Sequence, residues 1–296
     1  MVGYIKSPMN YTGGKYKILG HIIPHFPNEI SSFVDLFAGG LNVGINVDAS
    51  TIYANDQIDY LIDLYRCFQT TPIEDIIAHI KSRINQYSLS LTNEEGYAAL
   101  RKEYNTNKNI LDLFVLTCYS FNHQIRFNSR HEFNTPFGKE RSSYNATIEK
   151  NLVQFCTALK DKRIVLSNGD FMSFDFSILK PGDVVYCDPP YLITTGSYND
   201  GKRGFKDWSE IEERQLLDLL DSLHERGILF ALSNVFCHKG MENTMLIEWS
   251  KKYHVLYIDK SYANCSYHFK DRGTKTVEVL VTNYEVVEPC QMTLDF

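Results

Sequence analysis

The sequence lacks the features that mark several classes of protein. None of its 296 residues belongs to an apolar run of the roughly 20 residues that a membrane-spanning helix needs. Its first residues carry no apolar stretch of the kind found in secretory signals. The seven cysteines include no C-x-x-C pair, which is typical of free thiols in a reducing compartment. We therefore expect a cytoplasmic protein. The histidines form no H-E-x-x-H motif, so we expect no metal site.

The charge balance is acidic, with a formal net charge of −6. Taken alone, this value argues against a nucleic-acid partner, because such proteins usually present basic surfaces. The charges are unevenly distributed, however. Residues 1–28 contain three lysines and no acid, and residues 121–141 contain four basic residues against two glutamates. The sequence therefore allows a locally basic surface on a protein that is acidic as a whole.

Short β-branched or aromatic runs alternate with helical patterns, which is typical of an α/β sheet with helical crossovers. The predicted strands are Phe33–Phe37, Thr51–Ala54, Ile164–Leu166, Val184–Cys187, Ile228–Ser233, His254–Ile258 and Thr276–Thr282. Helices are predicted over Ile58–Phe68 and over Ser209–Arg226, where Ser209 and Glu212 form a capping box. No helical pattern separates the last two strands, so we expect an antiparallel hairpin closing an otherwise parallel sheet.

An interval of about 110 residues separates the second strand from the third, which is too long for a loop and indicates an inserted domain. Its helical patterns cover Ile73–Tyr87, Glu94–Asn105 and Ile110–Phe121. They are followed by a loop or short hairpin near 122–141 that presents side chains. We therefore predict a sheet domain built from residues 1–57 and 166–296, with a mainly helical insertion over 58–165.

The first strand runs into a glycine turn, Phe33–Gly40, that we expect to open a helix. Glycine there lets backbone N–H groups approach a ligand. Asp56 ends the second strand, and an acid at this position accepts hydrogen bonds from ribose hydroxyls. The G-x-G-x-x-G pattern of dinucleotide sites is absent, so an adenosine cofactor without a diphosphate fits better.

The most specific pattern is Asp188-Pro189-Pro190-Tyr191, directly after the apolar strand Val184–Cys187. Ligands of open α/β sheets bind beyond the carboxyl ends of the strands. Two prolines stiffen the segment and restrain Asp188. Asp188 and the carbonyl of Pro189 can accept hydrogen bonds from the two N–H groups of an exocyclic amino group such as N6 of adenine. Charge that builds on this nitrogen is then stabilised, and Tyr191 offers a π face to an extruded base.

These segments resemble the Dam-type DNA adenine-N6 methyltransferases. The matching segments, in chain order, are Tyr11–Lys15, Asp35–Gly40, Asn55-Asp56, Arg126–Gly138, Gly169–Phe171 and Asp188–Tyr191. The resemblance implies a Rossmann-like mixed seven-stranded sheet with a helical target-recognition insertion, and S-adenosyl-L-methionine as cofactor. The cofactor-binding residues that it implies are Tyr11, Gly14, Lys15, Asp35, Phe37, Gly39, Asp56, Asp170, Phe171 and Asp188.

The resemblance also gives the 122–141 segment a role on double-stranded DNA. Arg126 would read a guanine, Phe121 would fill the space left by the flipped base, and Lys139 and Arg141 would hold phosphates. The full set of implied DNA-binding residues is Phe121, Asn122, Gln124, Arg126, Pro136, Lys139 and Arg141. Asn10 and Gln124 depart from Dam at positions concerned with sequence reading, so a GATC target does not follow.

Several alternatives remain open at this point. The expected enzyme is a monomer from a restriction-modification system with a cognate endonuclease, or an orphan or phage enzyme. An RNA base methyltransferase is the next alternative, because some RNA guanine-N2 enzymes share D-P-P-Y. Cytosine-N4 enzymes more often carry serine in place of Asp188. A catalytically silent DNA-binding protein would have no reason to keep both the D-P-P-Y segment and the cofactor loop.

Overall fold

The computed structural model describes residues 3–11, 13–194, 208–258 and 276–286. Its strands are β1 (Ser32–Asp35), β2 (Thr51–Asp56), β3 (Ile164–Asn168), β4 (Val184–Cys187), β5 (Leu229–His238), β6 (Met241–Glu242), β7 (His254–Tyr257) and β8 (Thr276–Thr282). The seven predicted strands are confirmed, with shifts at their ends. The first ends at Asp35, before the predicted Phe37, and the fifth continues to His238.

The strands form a mixed sheet in the order β3-β2-β1-β4-β5-β8-β7, and the two-residue β6 pairs with β5. The pairs from β3 through β5 are parallel, whereas β8 runs antiparallel to both β5 and β7. The predicted mixed sheet with an antiparallel closing pair is therefore confirmed. Parallel pairing places the carboxyl ends of β1, β2 and β4 at one edge of the sheet, where ligands of such folds bind.

The α-helices in the described ranges are α1 (Asp59–Thr70), α2 (Ile73–Gln86), α3 (Glu94–Asn107), α4 (Ile110–Tyr119), α5 (Ala146–Asp161), α6 (Glu210–Glu225) and α7 (Thr244–Ser250). The capping box of Ser209 and Glu212 at the start of α6 is present as predicted. Helices α5 and α7 were not predicted. The predicted helix after Gly40 is wrong, because Gly44–Asn46 forms only a 3-10 turn.

Both faces of the sheet are covered, because successive strand residues point to opposite sides. Phe33 of β1 belongs to one core, which also takes in Phe68 of α1 and Phe114 of α4. Val34 belongs to the opposite core, together with Leu216 of α6. Each such fully buried side chain contributes roughly 1.5–3 kcal/mol of transfer free energy. The inserted helices thus share a core with the sheet, and the domain division at 57/58 and 165/166 stays a proposal.

Among the residues that the structure describes, no helix is long and apolar enough to cross a membrane. Within the same ranges, no group of three or more histidine, cysteine, aspartate or glutamate side chains could hold a metal ion. The cysteines with described surroundings have free thiols, whereas Cys265 and Cys290 lie outside the described residues.

Candidate active site

A cleft opens at the carboxyl ends of β1, β2 and β4. It encloses about 980 Å³, counting the part open to solvent. All the predicted catalytic and cofactor-binding residues line it. They are Tyr11, Gly14, Lys15, Asp35, Phe37, Gly39, Asp56, Asp170, Phe171, Asp188, Pro189, Pro190 and Tyr191. The structure thus brings together residues spread over 180 positions of the chain.

Asp188 follows β4 directly and is held by two partners. The ammonium of Lys15 lies 2.7 Å from each of its carboxylate oxygens, and the hydroxyl of Tyr191 donates to Oδ1 at 2.9 Å. Lys15 Nζ also lies 5.1 Å from the centre of the Tyr191 ring, and its side chain is only 8% exposed. A carboxylate offers about four acceptor positions, so an amino group arriving at Asp188 shares the carboxylate with Lys15 and Tyr191, a pairing that the sequence pattern did not predict.

The glycine turn after β1 lines the cleft. Gly39 has a φ of +46°, a conformation that glycine adopts without strain. A side chain at Gly40 would place its Cβ 2.9 Å from Asn42 Nδ2. Leu41 also has a positive φ of 53°, which turns the chain out of a helical path. This turn explains why the predicted helix does not form.

Two buried acids lie below this turn. Asp35 accepts the Gly44 N–H at 2.9 Å, and burial raises its pKa to about 7. Asp56 accepts the N–H groups of Gly39 and Ile58 at 2.7 and 2.9 Å, and burial raises its pKa to about 6. A carboxylate offers about four acceptor positions. The ionised Asp56 can therefore still accept hydroxyl groups of a ribose.

Asn55 links three strand ends that surround the cleft. Its Nδ2 donates to the carbonyls of Leu36 and Gly169 at 3.2 and 3.0 Å, and its Oδ1 accepts from the Ser167 hydroxyl at 3.0 Å. The carboxyl ends of β1 and β3 are thus fixed to that of β2. Only the neighbouring Asp56 has a function predicted from the sequence, although an asparagine at the end of a buried strand also indicates a polar network.

An aromatic cluster forms one wall of the cleft. The ring centres of Phe37, Phe171 and Trp208 lie 5.3 to 5.7 Å apart. Asp170 precedes this wall, and its Oδ1 accepts the Met172 N–H at 2.9 Å. Trp208 was not predicted as a site residue. Its proximity to the α6 capping box and its status as one of two tryptophans in the chain were the available indications.

The 122–141 segment forms a hairpin-like loop outside the cleft. Isolated antiparallel bridges pair Ser120 with Phe137 and Phe127 with Phe133. The aromatic side chains of Phe127 and Phe133 are buried and anchor the loop. The predicted DNA-binding residues are all exposed, namely Phe121, Asn122, Gln124, Arg126, Pro136, Lys139 and Arg141. Exposure suits contact with a macromolecule, and their roles stay predictions.

Contacts within the loop set the positions of these side chains. Arg126 donates from Nε to Asn134 Oδ1 at 2.9 Å and from Nη2 to the Asn134 carbonyl at 3.1 Å. The guanidinium of Arg141 lies 4.7 Å from the centre of the Phe121 ring. The N-terminal segment reaches the same loop, because Asn10 Nδ2 donates to the carbonyl of Asn122 at 2.9 Å. The loop is thus held against the segment that leads to Lys15.

The buried Asp35 gives a prediction for stability. Because its pKa is about 7 in the folded state and about 3.9 in an unfolded chain, the native state binds more protons between these values. Its contribution therefore lowers the free energy of unfolding as the pH rises through this window. We expect Asp35→Asn to be more stable than the wild type at pH 8 by about 1 kcal/mol or more, and to lose this advantage at pH 4.

Urea unfolding at the two pH values measures this difference directly. The carboxamide oxygen of the variant can still accept the Gly44 N–H, so the comparison isolates the charge. A variant that is less stable than the wild type by the same amount at both pH values would contradict the assignment.

The chain is similar in sequence to a known protein family and to several characterised proteins. The model of the "D12 class N6 adenine-specific DNA methyltransferase" family matches residues 11–264. The Type II methyltransferase M.FokI of Planomicrobium okeanokoites is 54% identical over 95% of this chain, and the modification methylase StsI of Streptococcus sanguinis is 49% identical over 95%. The chain spans 43% of the length of each of these two proteins. The DNA adenine methylase of Escherichia coli (strain K12) is 27% identical over 96% of this chain and 97% of its own length.

Proposed function

Because the chain belongs to the D12 class of N6 adenine-specific DNA methyltransferases, we propose that it methylates N6 of an adenine within a short site in duplex DNA. The observation that carries the proposal is the placement of Asp188 and Tyr191. Both lie at the carboxyl end of β4, inside a cleft whose other walls suit an adenosine cofactor. The methyl donor that we propose is S-adenosyl-L-methionine.

The chain's own residues supply the arrangement that N6 needs. The lone pair of this nitrogen is delocalised into the adenine ring, so N6 is a weak nucleophile. Asp188 and the carbonyl of Pro189 accept hydrogen bonds from its two N–H groups, which turns the lone pair toward the donor and stabilises developing charge. N6 loses one of these protons when it gains the methyl group, and that proton leaves to solvent. Tyr191 stacks on the base after it leaves the duplex. Lys15 holds the Asp188 side chain in position before the base arrives.

The cleft fits S-adenosyl-L-methionine on three counts. Asp56 keeps acceptor positions for the ribose hydroxyls. The glycine turn at Gly39 leaves room for close approach. The aromatic wall around Phe171 suits a purine ring. When bound, the cofactor supplies an electrophilic methyl group on a sulfonium. Methyl transfer to N6 requires neither a residue with a strongly lowered pKa nor a metal ion.

We further propose that the helical insertion over 58–165 reads the DNA site through its 122–141 loop. The exposed basic and aromatic residues of that loop support this assignment. The type II and modification methylases among the relatives support a place in a restriction-modification system, with a cognate endonuclease that need not bind this chain. The proposed acting form is a cytoplasmic monomer.

Methyl transfer in vitro tests the reaction and separates it from transfer to RNA. The purified chain is given S-adenosylmethionine labelled in its methyl group, together with duplex DNA of mixed sequence or with structured RNA. Label is expected in DNA, and digestion of that DNA to nucleosides is expected to yield N6-methyladenine. Label confined to RNA, or found on cytosine N4, would overturn the proposal.

Arg126 gives a prediction about recognition. Arg126→Ala is expected to lose discrimination at one base pair of the site, by about 1–3 kcal/mol or roughly 5- to 150-fold in relative rate, because it removes a bidentate contact to guanine. The measurement is the rate on the preferred site and on its single-base-pair variants. Arg130→Ala serves as the matched control, because Arg130 is also exposed in this loop. An unchanged preference in Arg126→Ala would show that Arg126 reads no base.

A further inference from the structure

Glu213 is a buried acid that the proposed reaction does not use. It lies on α6 with no exposed surface, behind the aromatic wall of the cleft. Its Oε2 accepts the indole N–H of Trp208 at 2.6 Å. Its Oε1 accepts from Nδ2 of Asn243 at 2.9 Å and from Nδ2 of Asn234 at 3.3 Å. Three donors from three parts of the chain thus converge on one carboxylate.

The direction of these hydrogen bonds is fixed by their surroundings. Asn243 caps α7, and its Oδ1 accepts the Leu246 N–H at 3.1 Å. The Oδ1 of Asn234 accepts the Val235 N–H at 2.7 Å. Each amide must therefore turn its NH₂ group toward Glu213, and an indole N–H can only donate. Both terminal atoms of the side chain at position 213 must therefore be hydrogen-bond acceptors, which is true of a carboxylate but not of a carboxamide.

Burying this carboxylate costs folding free energy. Burial disfavours the ionised carboxylate and raises the pKa of Glu213, whereas the three donors lower it. Replacing Glu213 together with its three donors by apolar side chains would avoid the desolvation penalty, because exchanging both partners of a buried hydrogen bond is often nearly neutral or stabilising. A buried network with every member satisfied instead fixes one geometry. Here the geometry that it fixes is that of Trp208, whose ring lines the cleft.

We propose that Glu213 is a positioning residue for the cofactor site, which acts by holding the Trp208 ring against the purine of the bound cofactor. Trp208 contacts Phe37 edge-on at 5.7 Å and Phe171 at 5.6 Å, so a rotation of its indole would disturb the whole wall. The inference rests on the proposed function, since it assigns the aromatic wall to the adenine of S-adenosylmethionine. It adds a residue that touches neither cofactor nor substrate.

Calorimetric titration with S-adenosylmethionine tests this role. Glu213→Gln keeps the size of the side chain but sets an NH₂ group against a donor. We expect its Kd for S-adenosylmethionine, and the corresponding KM, to rise about tenfold. The KM for DNA and kcat at saturating cofactor are expected to stay within about twofold. Glu210→Gln is the matched control, because Glu210 is exposed on the same helix and the variant loses the same charge.

A double-mutant cycle shows whether Glu213 acts through Trp208. Trp208→Phe alone is expected to weaken cofactor binding. Adding Glu213→Gln to Trp208→Phe is expected to change the Kd by less than about twofold, because the N–H that Glu213 holds is already gone. Tryptophan fluorescence gives an independent readout. The emission change on cofactor binding should be present in the wild type, absent in Trp208→Phe and reduced in Glu213→Gln.

The outcomes separate the two proposals. A wild-type chain that does not bind S-adenosylmethionine would overturn the proposed function and this inference with it. A wild type that binds, beside a folded Glu213→Gln with an unchanged Kd, would overturn the positioning role alone. Equal losses from Glu213→Gln in the presence and absence of Trp208→Phe would also overturn it, because they would indicate general loosening of the fold.

Discussion

Replacing Asp188 with alanine is expected to reduce methyl transfer by about 100- to 1000-fold or more, because it removes a preorganised group from the reacting nitrogen. The structure adds a second consequence. Lys15 would lose its counter-ion in a buried position, so the variant is also expected to unfold at a lower temperature than the wild type. Single-turnover transfer rates at saturating cofactor and DNA isolate the loss in the chemical step from any loss in binding.

Two further variants sharpen this comparison. Asp188→Asn keeps one oxygen that can accept a hydrogen bond from N6, so its transfer rate is expected to fall less than that of Asp188→Ala. Asp218→Ala removes an exposed acid on α6 and is expected to transfer at the wild-type rate. Near-normal transfer by a folded Asp188→Ala would exclude Asp188 as the group that orients N6.

Tyr191→Ala is expected to lower transfer by roughly 5- to 150-fold, which corresponds to a stacking contribution of about 1–3 kcal/mol for one base. Tyr191→Phe keeps the ring, so its loss is expected to be smaller. It is not expected to be zero, because the Tyr191 hydroxyl donates to Asp188 at 2.9 Å. Rates of all three proteins on one DNA duplex give the comparison.

The paired variants distinguish the ring from the hydroxyl. A phenylalanine variant as impaired as the alanine variant would mean that the hydrogen bond to Asp188, rather than the stacking surface, is the contribution of Tyr191. Fluorescence of a duplex with 2-aminopurine at the target position, which rises when the base leaves the stack, offers a second readout. A lower rise in Tyr191→Ala than in Tyr191→Phe is expected.

Local patterns predicted most of this fold. Each of the seven predicted strands is a short apolar run bounded by turn residues, so their positions and the antiparallel closing pair could be read from the sequence, whereas the two-residue β6 could not. Helix α5 was overlooked although its pattern was present, because Leu152, Phe155, Cys156 and Leu159 follow helical spacing and Asn145 is a capping residue. The helix predicted after Gly40 failed because no local pattern indicates that Leu41 adopts a left-handed conformation.

Thirteen of the residues that line the cleft were also predictable, since short motifs carry them, although Trp208 was not among them. The pairings between site residues were not predictable. Lys15 and Asp188 stand 173 positions apart, and only the completed sheet brings the N-terminal segment over β4. The partners of Glu213 come from the segment just before α6, from β5 and from the residue that caps α7, so the network has no continuous motif. Long-range hydrogen bonds of this kind depend on tertiary packing, which a single sequence does not specify locally.

The most direct test of the central proposal is modification-sensitive sequencing of DNA from cells that express the wild type or Asp188→Ala. N6-methyladenine is expected at one recurring short motif in the wild-type sample and nowhere in the variant sample. This result would identify the reaction and the DNA site together. Absence of the mark from cells that contain folded wild-type protein, or its presence with Asp188→Ala, would overturn the proposed reaction.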